Sequence, residues 1–167
     1  MLPRLFATTA HTTVTSDVNT NDSPVIGIVS QPLPDDLKSD PRFAGKSTYI
    51  MQAYVTFMES AGARVIPFLS TDEDSVTDEK LSKVNGILFP GGDGDYLEIG
   101  DYIYKSLISK NDAGQFYPLW GTCLGFENMA IFASDSGSPL SDLESHGNSL
   151  TLDFLVDDPK TETKMFD

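Results

Sequence analysis

The only cysteine of the chain, Cys123, lies in the pentapeptide Gly121-Thr122-Cys123-Leu124-Gly125, between a predicted strand and a predicted helix. Glycines two residues away on either side allow a sharp turn, because no Cβ atom crowds it, and the nucleophile then projects from the end of the sheet. The start of the following helix would favour the thiolate, and the N–H of Leu124 would point at a developing oxyanion. A lone cysteine is more often a small buried side chain, but this arrangement favours a nucleophile.

A second glycine-rich turn, Pro90-Gly91-Gly92, follows another apolar stretch. Its glycines allow a sharp change of direction and offer backbone N–H groups at the same edge of the sheet, where one could be a second oxyanion donor. The alternative is an ordinary tight turn. Taken together with the turn at Cys123, the functional interpretation is favoured.

Hydrophobic patterning predicts the elements that position these turns. Short apolar stretches predict buried strands, namely Val25–Val29, Arg64–Phe68, Gly86–Phe89 and Tyr117–Trp120. Helices are predicted between and after them, namely Thr48–Ala61 capped by Ser47 and ended by Gly62, a short connection near Val76, Leu81 and Val84, Tyr96–Ser109 with a weak point at Gly100, and Glu127–Ala133. The first helix has one apolar stripe, formed by Ile50, Tyr54, Phe57, Met58 and Ala61. Residues 31–42 are predicted to be a loop and residues 150–156 a strand.

Alternating strands and helices predict an α/β fold with three layers (αβα) and a mostly parallel sheet, flavodoxin- or Rossmann-like. Ligands bind such sheets at the carboxyl ends of the strands, where both glycine turns lie. Residues 1–23 are predicted to be a disordered leader. Residues 24–167 are predicted to be one domain that is truncated at its C-terminus, because no closing helix follows. An incomplete sheet would expose an apolar edge, so we expect a partner, for example a second copy in a homodimer.

Composition excludes several function classes. The formal net charge is −14, from 11 basic and 25 acidic residues, which argues against binding nucleic acid or an anionic membrane surface. No apolar run approaches the roughly 18 residues needed to cross a bilayer. With one cysteine and two histidines, His11 and His146, neither a Cys-rich nor an all-histidine metal site can be built within one chain. We therefore expect no metal and no other cofactor.

Longer strings around these features resemble one family. They are Pro24-Val-Ile-Gly-Ile28, Glu59-Ser-Ala-Gly-Ala-Arg-Val-Ile-Pro67 with Tyr54 before it, Asn85-Gly-Ile-Leu-Phe-Pro-Gly-Gly92 and Tyr117-Pro-Leu-Trp-Gly-Thr-Cys-Leu-Gly-Phe-Glu127. Together they resemble the folate γ-glutamyl hydrolases of the class I glutamine amidotransferase-like superfamily, from about Pro24 to Phe132. General amidotransferases tend to carry glutamine where Glu127 stands, so this residue separates the family from its relatives.

The resemblance implies hydrolysis of γ-glutamyl bonds in folylpoly-γ-glutamates through a thioester. Cys123 would be the nucleophile, and Gly92 and Leu124 would supply the oxyanion N–H groups. The family also implies a vacuolar, lysosomal or secreted protein. An acidic compartment would relieve the repulsion between an anionic substrate and an acidic protein.

The resemblance further implies that Tyr54, Gly91 and Glu127 contact the substrate, and that Glu127 holds the α-ammonium group of the glutamyl residue. Tyr54 is equally well explained as a core residue on the stripe of its helix. Glu127 could instead be an acidic residue favoured by the dipole of the first helical turn.

The chain departs from the family at the catalytic base. The family histidine lies in a His-Pro-Glu string, which this chain does not contain, and His146 and His11 are predicted to be ordinary loop and leader residues. A second family histidine has an acidic residue in its place, near Glu162. Because thiol attack needs a base and amine departure needs an acid, the alternative is an inactive relative that binds a γ-glutamyl ligand or a partner. A general glutaminase or chaperone-like relative is a weaker alternative, and Glu127 argues against it.

Overall fold

A computed structural model describes residues 22–134, 139–142, 144, 147, 149–151 and 153–162. Nearly all of the predicted leader, together with His11 and His146, lies outside these ranges. The strands are β1 Val25–Val29, β2 Gln31–Pro32, β3 Thr48–Tyr49, β4 Arg64–Phe68, β5 Gly86–Phe89 and β6 Leu119–Gly121. The helices are α1 Asp35–Lys38, α2 Gln52–Ser60, α3 Asp74–Leu81, α4 Leu97–Asp112, α5 Leu124–Phe132 and α6 Pro159–Glu162, with a 3₁₀ turn at Pro41–Phe43.

Four parallel strands form the central sheet in the order β4-β1-β5-β6. The chain moves from β1 to β4 in one direction and then from β4 through β5 to β6 in the other. Right-handed crossovers therefore place α2 on one face and α3 and α4 on the opposite face. The structure confirms the predicted three-layer α/β fold with a mostly parallel sheet.

The main hydrophobic core lies between the sheet and the layer of α3, α4 and α5. Alternate residues of the strands face it, as the period of a strand requires, and they include Val29, Phe68, Ile87 and Phe89, all buried. Ile103 and Leu107 of α4 pack against them. This core fixes the carboxyl end of β5, from which the Pro90 turn departs.

Helix α4 runs through Gly100 without interruption, although this glycine was predicted to be a weak point. A Cβ atom at Gly100 would lie 3.0 Å from the ring of Phe132 in α5. Close packing of α4 against α5 therefore explains the glycine better than a break in the helix does.

Several predicted boundaries near β2 are wrong, because a long-range pairing takes residues away from the first helix. Gln31–Pro32 and Thr48–Tyr49 form a separate antiparallel pair, so the predicted loop at 31–42 contains β2, α1 and the 3₁₀ turn. Helix α2 consequently begins at Gln52 with Met51, not Ser47, at its N-cap.

The predicted apolar stripe of α2 is also wrong in part. Phe57 is 57% exposed, and Ala61 is exposed as well. Tyr54, Val55 and Met58 are the partly buried residues of α2, so the face that packs on β1 and β4 is rotated from the predicted one. Gly62 does end the helix, with φ 87°.

The C-terminal prediction of a strand at 150–156 is not supported, since none of the described residues in that range lies in a strand. Helix α5 starts earlier than predicted, at Leu124, immediately after Cys123. Within the described ranges, no helix combines the length and apolar character needed to span a bilayer.

Candidate active site

The turn at Cys123 connects β6 directly to α5. Cys123 has φ 50° and ψ −117° and is the one non-glycine residue with a positive φ in the described part of the chain. Such a conformation is strained for a residue with a Cβ atom. The thiol is exposed, so the structure places it in the strand-turn-helix setting that the sequence predicts for a nucleophile.

The two glycines that flank this turn are required by close approach. A Cβ atom at Gly125 would lie 2.2 Å from the carbonyl oxygen of Phe89. One at Gly121 would lie 2.6 Å from Sδ of Met129. Real Cβ atoms do not approach so closely, so both positions exclude a side chain and let β5, β6 and α5 meet.

The glycine loop, Pro90–Gly94, lies beside Cys123 because β5 and β6 are neighbours. Phe89 pairs with Gly121, and the N–H of Thr122 donates to the Phe89 carbonyl over 3.1 Å. A Cβ atom at Gly91 would lie 2.9 Å from Cβ of Cys123. The structure therefore brings together the two glycine turns that the sequence singled out.

Tyr54 reaches this loop from α2. The N–H of Gly91 donates to the Tyr54 hydroxyl over 2.8 Å, and Tyr54 itself is partly buried. Tyr54 is therefore a neighbour of Cys123 through Gly91, at the edge of the core. This bond occupies the Gly91 N–H, so that N–H is not offered to a ligand.

Two other N–H groups at the site, those of Gly92 and Leu124, make no hydrogen bond to any described residue. Leu124 is the first residue of α5, where an N–H has no partner inside the helix. These are the two donors that the resemblance implies for an oxyanion.

Two side chains that sequence patterning missed hold the glycine loop. Gln31, 2% exposed, donates from Nε2 to the Gly91 carbonyl over 2.7 Å. Its Oε1 accepts from the Gly94 N–H at 3.3 Å and from the Tyr49 hydroxyl at 3.2 Å. Its position just after buried strand β1 was the available signal, but the residue was assigned to a loop.

Tyr96, at the N-cap of α4, is the second missed side chain. Its hydroxyl donates to the Pro90 carbonyl over 2.7 Å, and its ring packs edge-on against Phe89. Burial raises the pKa of Tyr96 well above its usual range. A hydrogen bond from the buried Asn128 lowers this pKa, but its effect is smaller than that of burial. The hydroxyl therefore stays protonated and remains a donor.

Glu127 lies in the first turn of α5, one turn beyond Cys123, and is exposed. Its N–H donates to the Cys123 carbonyl over 3.0 Å. Its carboxylate has no hydrogen-bond or ion-pair partner among the described residues. It is available to a cationic group that approaches the first turn of α5.

The surroundings of the glycine loop are acidic. A cleft of about 200 Å³ beside Leu124 is lined by Asp93, Asp95 and Asn128, among others. No group of three potential metal-ligating side chains occurs within the described ranges. No described residue supplies a histidine, because both histidines lie outside those ranges.

Both glycine turns lie within the part of the chain that is similar to known proteins. The model of the peptidase C26 family matches residues 24–150, a stretch that contains both glycine turns. The chain is 39% identical over 153 residues to γ-glutamyl hydrolase 1 of Arabidopsis thaliana, covering 90% of this chain and 43% of that protein. It is 38% identical over 145 residues to γ-glutamyl hydrolase B of Dictyostelium discoideum, covering 82% and 40%.

The human γ-glutamyl hydrolase is 36% identical over 122 residues, covering 70% of this chain and 37% of the human protein. The chain thus spans about two-fifths of the length of these relatives. The resemblance found from the sequence strings is confirmed at the level of the family. Since the family model matches well over half of its residues, the chain belongs to the peptidase C26 family.

Proposed function

We propose that this chain carries the nucleophile of a thiol hydrolase that cleaves the γ-glutamyl bonds of folylpoly-γ-glutamates. The observation that carries the proposal is the strained, exposed Cys123 packed against the glycine loop, with the Gly92 and Leu124 N–H groups making no hydrogen bond to any described residue. The names of the relatives supply the γ-glutamyl substrate class.

The chemistry would run through a thioester. The Cys123 thiolate attacks the γ-carbonyl carbon, a C–S bond forms, and the carbonyl electron pair moves to oxygen, where the Gly92 and Leu124 N–H groups stabilise it. Collapse of this intermediate breaks the C–N bond, and the amine leaves with a proton from a general acid. Water then attacks the thioester, releasing the γ-carboxylate and regenerating the thiol.

Substrate binding is assigned to Glu127, Tyr54 and Gly91. Glu127 would accept a charge-assisted hydrogen bond from the α-nitrogen of the glutamyl residue, which is an amide N–H in a folylpoly-γ-glutamate because that nitrogen is acylated. Tyr54 and Gly91 would shape the floor beside Cys123, with Gly91 offering its Cα surface, since Tyr54 holds its N–H.

The general base and acid are assigned to no described residue. The family base lies in a His-Pro-Glu string, which the chain does not contain.

A net charge of −14 opposes binding of a polyanionic tail. An acidic vacuolar, lysosomal or extracellular setting would weaken that opposition by protonating carboxylates on both molecules.

Thioester formation can be tested without the missing base. A γ-glutamyl 4-nitrophenyl ester loses a leaving group that needs no proton, so thiolate and oxyanion donors suffice. We expect intact mass to show one γ-glutamyl group, located by peptide mapping on Cys123 and absent from Cys123→Ala. The α-linked isomer of the ester is the matched control and should react at least about tenfold more slowly. Equal rates for the two isomers, or labelling elsewhere, would contradict the proposal.

A second candidate is a catalytically inactive relative that binds a γ-glutamyl ligand or a protein partner. Binding needs no general base, and none of the described residues supplies a histidine to the site. This candidate predicts that pteroyl-triglutamate binds the Cys123→Ala variant and the wild type equally, by calorimetry, and that the activated ester leaves no thioester. For the partner form, a homodimer predicts a concentration-dependent elution volume in size-exclusion chromatography.

A further inference from the structure

The orientation of the peptide between Gly91 and Gly92 decides whether the proposed oxyanion hole has its second donor. Its carbonyl oxygen belongs to Gly91 and its N–H to Gly92, and in a trans peptide the two point in opposite directions. No cis peptide occurs among the described residues. Whichever group holds the Gly91 carbonyl therefore decides where the Gly92 N–H points.

Two consecutive glycines make this peptide easy to rotate, because neither residue has a Cβ atom to restrict its backbone. Gly92 sits at φ 143°, a conformation that side chains disfavour. A rotated peptide would turn the Gly91 carbonyl toward Cys123. The oxyanion would then meet a lone pair instead of a hydrogen-bond donor.

Gln31 opposes that rotation from the other side of the loop. Its Nε2 holds the Gly91 carbonyl over 2.7 Å, in a buried setting. Its Oε1 is fixed in turn by the Gly94 N–H and the Tyr49 hydroxyl, so the amide has one orientation. A Cβ atom at Gly92 would lie 2.3 Å from Oε1 of Gln31, which shows how closely the amide fills the inside of the loop.

The neighbouring peptide is held separately. Tyr96 holds the Pro90 carbonyl, and the Gly91 N–H is bound to Tyr54. The Gly91–Gly92 peptide therefore depends on Gln31 alone among the described side chains for a bond to its carbonyl.

We propose that Gln31 is a positioning residue, which keeps the Gly92 N–H directed at the oxyanion by holding the Gly91 carbonyl. The inference rests on the proposed function, because it presumes that Cys123 forms a tetrahedral intermediate. Gln31 does not touch the reacting atoms.

The test compares two reactions of the same thiol. Acylation of Cys123 by 4-nitrophenyl acetate passes through an oxyanion, whereas alkylation by iodoacetamide does not. Both need the thiolate, so the ratio of their rates cancels any change in thiol ionisation. The chain has one cysteine, and Cys123→Ala gives the background for other nucleophiles.

Two variants separate the donor from the acceptor of the amide. Gln31→Met removes both, while Gln31→Glu, assayed at a pH where its carboxylate is ionised, keeps an acceptor for the Gly94 N–H but cannot donate to the Gly91 carbonyl. Both should lower the acylation-to-alkylation ratio by about 10- to 100-fold, less than the ~10²–10³-fold that follows deletion of an oxyanion donor. Alkylation alone should change by less than about threefold.

The matched control is another side-chain amide that bridges backbone groups. Asn111 donates from Nδ2 to the carbonyls of Leu107 and Tyr117 and accepts from the Tyr117 N–H, at the far end of α4. Asn111→Ala should leave the ratio unchanged.

Three results would overturn the inference, and they differ in whether they also reject the proposed mechanism. A wild-type ratio equal to that of free N-acetylcysteine would overturn the oxyanion hole, and with it the proposed mechanism. A raised wild-type ratio that both Gln31 variants retain would overturn the role of Gln31 only. Loss of alkylation and of near-ultraviolet circular dichroism together with acylation would show that Gln31 supports the fold and does not position the peptide.

Discussion

Cys123 is held in a conformation that its own side chain disfavours. Backbone strain of this kind costs of order 1–3 kcal/mol, and an exposed thiol recovers little of that through packing. The glycines at 121 and 125 hold the strained turn in place by letting β5, β6 and α5 meet closely. Stability alone does not explain a residue with a Cβ atom at this position, whereas the proposed role as a projecting nucleophile does.

Replacing Cys123 by glycine should relieve the strain. We expect the Cys123→Gly variant to have a free energy of unfolding about 1 kcal/mol higher than that of Cys123→Ala, which lacks the thiol but keeps the Cβ atom. Glycine is ordinarily the less stable of the two by roughly 0.5–1 kcal/mol. Urea denaturation measures the difference, and a glycine variant less stable than the alanine variant would argue against strain.

At the scale of elements, β5 and α4 are joined through the hydroxyl of Tyr96, which bonds the Pro90 carbonyl. Burial keeps this hydroxyl neutral, since it raises the pKa of Tyr96 above that of an ordinary tyrosine. The unfolded chain releases the proton above about pH 10, while the folded chain retains it. The stability contributed by the neutral Tyr96 hydroxyl is therefore complete below about pH 10 and is lost as the pH rises further.

Tyr96→Phe should reveal this dependence. At pH 7 the variant should unfold about 1–2 kcal/mol more easily, because the buried Pro90 carbonyl loses its donor. The gap between wild type and variant should narrow as the pH is raised above about 10. Urea titrations over this range measure the gap, with Tyr117→Phe as a control whose hydroxyl is bonded elsewhere, to the Leu81 carbonyl. A gap that stays constant or widens would contradict this explanation.

Patterns within a few neighbouring residues predicted the strands of the sheet and the turn at Cys123. The apolar strand at Val25–Val29 and the glycine spacing around Cys123 need no distant partner to be recognised. Pairings over long separations were missed, since the bond between Gln31 and Gly91 spans 60 positions. Likewise, nothing in the residues near Ser47 shows that Thr48–Tyr49 would pair with β2 and delay the helix. The face of α2 depends on its angle to the sheet, which periodicity alone does not give.

At the scale of the whole molecule, charge opposes the proposed substrate. The chain carries −14, and Asp93 and Asp95 flank the cleft beside Leu124. A substrate with several γ-linked glutamates brings further negative charge to this surface. The rate at which this substrate associates with the protein should therefore fall as the number of glutamates in its tail rises.

Salt should reduce this penalty. Raising ionic strength from about 0.01 to 0.15 M shortens the screening length from ~30 to ~8 Å. We expect the rate of Cys123 acylation by an activated pteroyl-triglutamate ester to rise several-fold relative to that by the monoglutamate ester. Stopped-flow release of nitrophenolate measures both rates. An equal response of the two esters would show that the charge of the protein does not act on the tail.

The contact of Gly125 with the Phe89 carbonyl fixes the start of α5 against the end of β5. Leu124, one of the two proposed oxyanion donors, stands next to that contact, whereas the orientation of the other, the Gly92 N–H, depends on the peptide that Gln31 holds. If the proposal is correct, the Leu124 donor is fixed by the fold, and only the Gly92 donor can be changed, through the residue at position 31. Changes of acyl-group preference, whether by evolution or by engineering, have to occur on the outer rim, at exposed positions such as Asp93, Asp95 and Glu127. The reactive centre and the selective surface can thus diverge independently.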